Sequence, residues 1–184
     1  MNMTDLQLIE RLKKKDETAL KEVMAMYKDQ LYNYLHLMLG NKQRAEELTQ
    51  DTFVTVYFKA SSMRTEYLKT WIYKIAINHA RNELRKKKIK RMFSISDIDE
   101  SKLRTQSPSD SELALEQMMT LLPEKYRGPV IMRQVDELSF EEIAEILEKP
   151  TSTIKTLFYR GITHLRDRLA GQHPLPELKG GING

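Results

Sequence analysis

A row of cationic and amide side chains recurs at helical spacing in the segment Thr70–Arg91. Steps of three and four residues fall on one face of a single long helix, and this face carries Lys74, Asn78, Arg81, Arg85 and Lys88. The opposite face carries the apolar residues Ile72, Ala76, Ile77, Ala80 and Leu84. Such a helix is suited to bind a phosphate backbone on one side and a protein core on the other. A solvated helix end, whose cations suit the negative end of the helix dipole, is the alternative interpretation.

Because the first 107 residues contain no proline and a single glycine, long helices are expected in this half of the chain. Three helices are predicted before this segment. The first follows Thr4, and the second begins after Asp16, a residue suited to N-capping. Gly40 ends the second helix, and Asn41 is suited to cap the third, which extends over about Lys42–Lys59. The segment Ala60–Glu66 interrupts the apolar pattern and is predicted to be a loop before the long helix.

Positive charge is concentrated in the N-terminal half of the chain. The whole chain has a net charge of +4, but residues 1–95 carry 19 Lys/Arg against 11 Asp/Glu, a net charge of +8. Residues 96–112 have a net charge of −3 and residues 113–170 of −1. The excess expected for contact with a polyanion therefore belongs to the N-terminal half.

The composition changes at Ser94–Glu112, which holds six serines, five acidic residues and one proline. Because such a segment buries little apolar surface, we predict a flexible acidic linker. The tail after Ala170 holds four of the seven glycines and is predicted to be disordered. The predicted fold is all-α, with two small helical domains at 1–93 and 113–170, the linker at 94–112 and the tail at 171–184.

A helix-turn-helix is predicted in the second domain. Ser139 and Glu142 fit a capping box, and a break at Glu148–Pro150 separates that helix from a final one over Thr151–Leu169. In such motifs the start of the second helix enters the major groove. Its outward residues here are Ser152, Thr153, Lys155, Thr156, Tyr159 and Arg160. An ordinary pair of amphipathic helices is the alternative.

The sequence contains no pattern typical of a catalytic or metal-binding site. There is no cysteine, the four histidines are scattered, and no glycine-rich phosphate loop is present. We therefore expect neither an enzyme nor a cofactor or metal site. No apolar run reaches the ~20 residues needed to cross a bilayer, and the N-terminus lacks a secretory signal. We expect no integral membrane segment and a cytoplasmic location.

Four segments, in this order, resemble the extracytoplasmic-function group of bacterial sigma factors, and the resemblance covers nearly all of residues 5–170. The segments are Ala45–Tyr57, Trp71–Lys88, Leu122–Arg133 and Leu138–Lys155. The resemblance implies a promoter-melting bundle followed by a helix-turn-helix that binds the upstream promoter element. It also implies that such a protein binds core RNA polymerase and directs promoter recognition, DNA melting and transcription initiation.

Residue roles follow from the resemblance. The third helix is implied to dock on the clamp coiled coil of the polymerase through Glu46, Glu47, Gln50, Asp51 and Val54. Without the resemblance, a solvated acidic face is the alternative interpretation. The loop is implied to capture a base flipped from the melting element. With the long helix it supplies the melted-element contacts Ser61, Ser62, Arg64, Trp71, Lys74, Asn78, Arg81, Asn82, Arg85 and Lys88. Trp71 would stack at the fork, with burial in the core as its alternative, and the same choice applies to Tyr67 and Tyr73.

The implied partners are core RNA polymerase, through its clamp coiled coil and its flap, promoter DNA, and an anti-sigma factor. A membrane-linked anti-sigma factor would hold the chain at the membrane. This chain departs from the family pattern at three positions. The family often has a small or amide residue at the position of Glu148, Arg at that of Leu157 and a basic residue at that of Ile162. We therefore transfer no promoter sequence from the family to this chain.

Two other classes of function stay open. A helix-turn-helix regulator that acts without polymerase explains the second domain but leaves the +8 half without a purpose. A protein-binding adaptor leaves the basic row unexplained.

Overall fold

The computed structural model describes residues 3–64, 67–93 and 110–169, and the regular secondary structure within these residues is all helical. Its helices are α1 (Met3–Lys13), α2 (Glu17–Leu39), α3 (Lys42–Lys59), α4 (Leu68–Phe93), α5 (Asp110–Leu121), α6 (Glu124–Gln134), α7 (Phe140–Leu147) and α8 (Thr151–Leu169). A 3-10 turn, Ala60–Ser62, follows α3. The predicted all-α class is confirmed. The helices form two compact units, α1–α4 and α5–α8.

Two predicted regions lie largely or wholly outside the described residues. The tail 171–184 is one, and the other is the predicted linker up to residue 109. Helix α5 begins at Asp110, so the last three residues of the predicted linker are helical.

Both ends of α2 and the start of α3 are fixed by the residues that the sequence indicated. Asp16 caps α2 by accepting hydrogen bonds from the backbone N–H groups of Thr18 and Ala19, at 2.8 Å and 3.3 Å. Gly40 ends α2 in the left-handed region, with φ of +62°, where a side chain is unfavourable. Asn41 then caps α3 through a 2.8 Å hydrogen bond from the Arg44 N–H. These three predictions are confirmed.

The core of the first unit lies between α2, α3 and α4. The predicted inward residues of α4 are buried from Ile72 to Ala80, whereas Leu84 is half-buried. Tyr73 is also in this core, and its ring packs edge-on against Tyr34 with 6.0 Å between centroids. Tyr73 is therefore a packing residue, and of its two predicted roles the stacking role at the fork is wrong.

Lys15, in the turn between α1 and α2, caps the far end of α3. Its ammonium group donates hydrogen bonds to the carbonyl oxygens of Tyr57 and Phe58, at 2.6 Å and 3.0 Å. In return the Tyr57 hydroxyl donates to the Lys15 carbonyl oxygen at 3.2 Å. Because the last carbonyls of a helix have no partner within it, this contact fixes the point at which the chain leaves α3 for the 3-10 turn.

In the second unit, α6 and α8 approach closely at Gly161. A Cβ atom at this position would lie 2.8 Å from the Cγ2 atom of Val130 and 3.2 Å from the Cβ atom of Tyr126. Val130 is buried and β-branched, so its side chain has little freedom to move away. The absence of a side chain at Gly161 is what allows this packing distance.

The turn between α7 and α8 completes the predicted helix-turn-helix. The capping box is present, since the Ser139 hydroxyl accepts from the Glu142 N–H at 3.1 Å and the Glu142 carboxylate accepts from the Ser139 N–H at 2.8 Å. Glu148 follows α7 in the left-handed region, with φ of 54°. Glycine and asparagine adopt this conformation more readily than glutamate does.

Candidate nucleic-acid and polymerase interfaces

Helix α4 presents the predicted cationic row to solvent. Asn78, Arg81, Asn82, Arg85 and Lys88 are exposed, and Lys74 is half-buried at the start of the row. From Lys74 to Lys88 the row extends about 21 Å at 1.5 Å per residue, a length that spans several phosphates of one strand. The Arg85 guanidinium lies 3.5 Å from the Asn82 side-chain oxygen, so these two side chains share one part of the row.

The segment before α4 differs from the predicted loop. Ala60–Ser62 forms a 3-10 turn in which the Ser62 hydroxyl donates to the Lys59 carbonyl oxygen at 2.8 Å. Ala60 and Met63 are buried and anchor the segment, while Ser61, Ser62 and Arg64 are exposed. The anchors leave the predicted contact residues at the surface.

Trp71 is half-buried at the start of α4, which agrees fully with neither of its predicted alternatives. Tyr67, four residues earlier, is exposed. An aromatic pair at the entry to the cationic row could stack on unpaired bases, since base stacking tolerates any sequence.

The outward face of α3 contains four exposed residues of the predicted docking set: Glu46, Gln50, Asp51 and Val54. Val54 is apolar and 54% exposed. Phe58, one turn further, is 68% exposed and lies on the same line. Sequence reasoning missed Phe58, although its spacing of four from Val54 was the signal that could have found it.

Glu47 differs from the rest of the docking set because it is half-buried and held within the protein. The Arg44 guanidinium donates both to the Glu47 carboxylate and to Glu83 Oε2 of α4, the latter at 2.9 Å. Hydrogen bonds from Arg44 lower the pKa of the Glu47 carboxyl. Glu47 thus helps to tie α3 to α4.

The start of α8 presents the predicted groove contacts. Ser152, Lys155, Thr156, Tyr159 and Arg160 are exposed, and Thr153 is half-buried. The inward face consists of the buried residues Ile154, Phe158, Gly161 and Leu165, as predicted. Ile162 is also buried, so this departure from the family pattern serves packing, whereas Leu157 is half-buried.

Sequence reasoning also missed Phe140, at the start of α7. Its ring lies 5.7 Å from the Lys155 ammonium and 6.2 Å from the Tyr159 ring centroid, both groups of the predicted groove surface. An aromatic residue directly after an N-cap gives no sequence signal of such a contact.

Comparison with known proteins places both units in one class. The Sigma-70 region 2 family matches residues 23–89, and the Sigma-70 region 4 family matches residues 112–165. The ECF RNA polymerase sigma factor SigW of Bacillus subtilis (strain 168) is 33% identical, over 92% of this chain and 98% of that protein.

Solved structures show the same fold at lower identity. CnrH, in complex with the cytosolic domain of CnrY, has a TM-score of 0.71 at 15% identity, over 92% of this chain and 99% of that one. The sigma factor RpoE, in complex with the anti-sigma factor NepR from Bartonella quintana, has a TM-score of 0.64 at 20% identity, over 83% of this chain and 98% of that one.

The two all-α units, one with a basic helix and one with a helix-turn-helix, define a sigma-70-type transcription factor. The chain belongs to the extracytoplasmic-function sigma factors of bacterial RNA polymerase. It is a sigma factor that binds core RNA polymerase and directs it to promoters, as predicted. A regulator independent of polymerase is not favoured, because the similarity to SigW extends over both units. No helix in the described part of the chain has the length and apolar character to span a bilayer.

Proposed function

We propose that this sigma factor divides promoter recognition between α4, which binds the melted element, and α8, which binds the upstream duplex. The observation that carries this division is the exposed cationic and amide row of α4, from Lys74 to Lys88, opposite a buried apolar face. A helix of this kind binds phosphates without regard to sequence. The exposed residues Ser61, Ser62 and Arg64 lie just before it and supply the contacts to a flipped base, with Trp71 and Tyr67 stacking at the fork.

Helix α8 supplies the contacts to the upstream element. Its exposed residues Lys155 and Arg160 offer cationic donors to base edges and phosphates, and Tyr159 offers a hydroxyl and an apolar ring. Because residues 113–170 have a net charge of −1, this unit gains little from general attraction to DNA. It depends on direct groove contacts and on being held beside DNA that the polymerase already binds.

Helix α3 supplies the docking face for the clamp coiled coil of core polymerase. The exposed residues Glu46, Gln50 and Asp51 complement a basic surface, and Val54 adds an apolar contact. Glu47 acts by holding α3 against α4 through Arg44. The second unit contacts the flap of the polymerase.

An anti-sigma factor is the proposed inhibitory partner. The similar RpoE structure contains the anti-sigma factor NepR. A partner of this kind would cover the polymerase and DNA faces until a signal releases the chain. We place the protein in the cytoplasm, held at the membrane where that partner is membrane-linked, and we assign it a regulatory role without catalysis.

In vitro transcription with core polymerase over a randomised promoter library tests this division. Asn78→Ala or Arg81→Ala should reduce strand opening, measured by permanganate reactivity of unpaired thymines, without changing the upstream preference. Lys155→Ala or Arg160→Ala should change the preference at the upstream element only. Lys28→Ala removes an exposed cation from α2 and serves as the control. Opening that is normal in Asn78→Ala and Arg81→Ala would exclude the proposed role of α4.

A further inference from the structure

Phe140 belongs to a cluster of three aromatic rings that connects the core of the second unit to the exposed face of α8. Its ring packs edge-on against Phe158, with 5.3 Å between centroids and 70° between planes. The Phe158 and Tyr159 rings are 5.2 Å apart, and Phe140 lies 6.2 Å from Tyr159. Phe158 is buried and Tyr159 is exposed, so the cluster extends from the core of the second unit to a surface side chain.

Two cations lie over the Phe140 ring. The Lys155 ammonium is 5.7 Å from its centroid and the Arg133 guanidinium carbon is 5.1 Å from it. Arg133 is itself held in place, since it donates a 3.0 Å hydrogen bond to the Leu138 carbonyl oxygen. A lysine side chain is a flexible stem with a point charge, and attraction to the face of a ring restricts the positions of that charge.

We propose that Phe140 is a positioning residue for recognition of the upstream promoter element. Its ring holds the Lys155 ammonium and the Tyr159 ring in the orientations that α8 presents to DNA. This inference rests on the proposed function, in which α8 reads that element. Lys155 and Tyr159 are four residues apart and therefore neighbours on one helix face, so a single ring contacts two adjacent readers. Without the ring both readers stay on the surface but sample more rotamers, which weakens base preference more than overall binding.

Transcription over a library randomised at the upstream element tests the proposal. We expect Phe140→Leu to reduce preference at the base pairs that Lys155→Met and Tyr159→Leu also affect, by about two- to fivefold, the worth of a surface cation–π contact. Preference at the melted element should stay unchanged. Phe140→Tyr keeps the ring and should retain the wild-type preference. Combining Phe140→Leu with Lys155→Met should give less than the product of the two single effects, because both remove the same contact.

Met119→Ala separates positioning from stability. Met119 is buried on α5 and lines a small apolar cavity with Val130 and Ile162, so its truncation should lower transcript yield uniformly and leave base preference intact. Two outcomes would show that the positioning role is wrong while α8 recognition stands. In the first, Phe140→Leu lowers transcript yield uniformly and leaves base preference intact, as Met119→Ala does. In the second, Phe140→Leu keeps the wild-type base preference while Lys155→Met changes it. If neither Lys155→Met nor Tyr159→Leu changes preference, the proposed role of α8 fails and the inference about Phe140 fails with it.

Discussion

At the start of α2, the Asp16 carboxylate accepts hydrogen bonds from the Thr18 hydroxyl at 2.6 Å and from the Arg11 guanidinium at 2.7 Å. These hydrogen bonds stabilise the ionised form and hold the pKa of Asp16 well below its usual range, and the bond from Thr18 has the largest effect. The charged carboxylate therefore contributes stability that is complete above the unfolded pKa of about 3.9 and is lost as the pH falls towards the lower folded pKa.

A thermal melting series from pH 7 to pH 3 checks this consequence. The melting temperature of the wild-type chain should decrease at pH values below about 4. Asp16→Asn keeps an N-capping side chain but has no proton to gain, so its melting temperature should depend less on pH. Asp29→Asn makes the same chemical change on the exposed face of α2 and should retain the wild-type dependence. An equally steep loss in Asp16→Asn would contradict the assignment.

Glu148 is an element-scale feature, because it ends α7 in the left-handed region at the start of the turn into α8. A non-glycine residue in the left-handed region costs about 1 kcal/mol or more, and Glu148 has φ of 54°. Glu148→Gly should therefore raise the free energy of unfolding of the second unit by roughly 0.5–1 kcal/mol, measured by urea denaturation. Glu145→Gly, on the exposed face inside α7, should lower it by about 1 kcal/mol. Destabilisation by both changes would show that the turn is not strained at Glu148.

Lys15 acts on the end of α3, the element that leads into the proposed melted-element contacts. Lys15→Met removes the two hydrogen bonds to the end of α3 and should lower the free energy of unfolding by about 1 kcal/mol. Since α3 ends directly before Ala60–Ser62, promoter opening should fall as well, as measured by permanganate reactivity with core polymerase. Lys14→Met, at the exposed neighbouring position, is the matched control and should leave both quantities unchanged. Unchanged opening in Lys15→Met would limit Lys15 to a structural role.

Much of the fold could be predicted because its determinants are local in sequence. The caps at Asp16 and Ser139 each depend on residues within three positions, and the buried face of α8 follows from helical spacing. The contacts that sequence reasoning missed join distant residues: Lys15 reaches the end of α3 across 42 and 43 positions, and Arg44 reaches Glu83 across 39. Spacing within one helix contains no information about such partners. The roles of the candidate site residues stay predictions.

At the scale of the whole molecule, the first unit is strongly positive and the second is nearly neutral. Residues 1–95 have a net charge of +8 and residues 113–170 of −1, so general attraction to DNA comes from the first unit. The part of the predicted linker that precedes α5, residues 94–109, would as a flexible chain have a root-mean-square end-to-end distance of about 22 Å. A tether of that length would keep the second unit at a millimolar local concentration near DNA held by the polymerase, where a few groove contacts would suffice.

The isolated chain should therefore bind a promoter duplex weakly and with little preference over a scrambled duplex. Its affinity should fall steeply with salt, with a log–log slope of about −4 for the phosphates neutralised by the α4 row, and Arg81→Gln should reduce that slope by about one. Addition of core polymerase should restore preference for the promoter, because it places both units on one DNA molecule. Fluorescence anisotropy across a salt series, with and without core polymerase, measures both effects. Tight, salt-resistant and sequence-specific binding by the chain alone would contradict this division, since the second unit would then need no help from the polymerase to select its DNA.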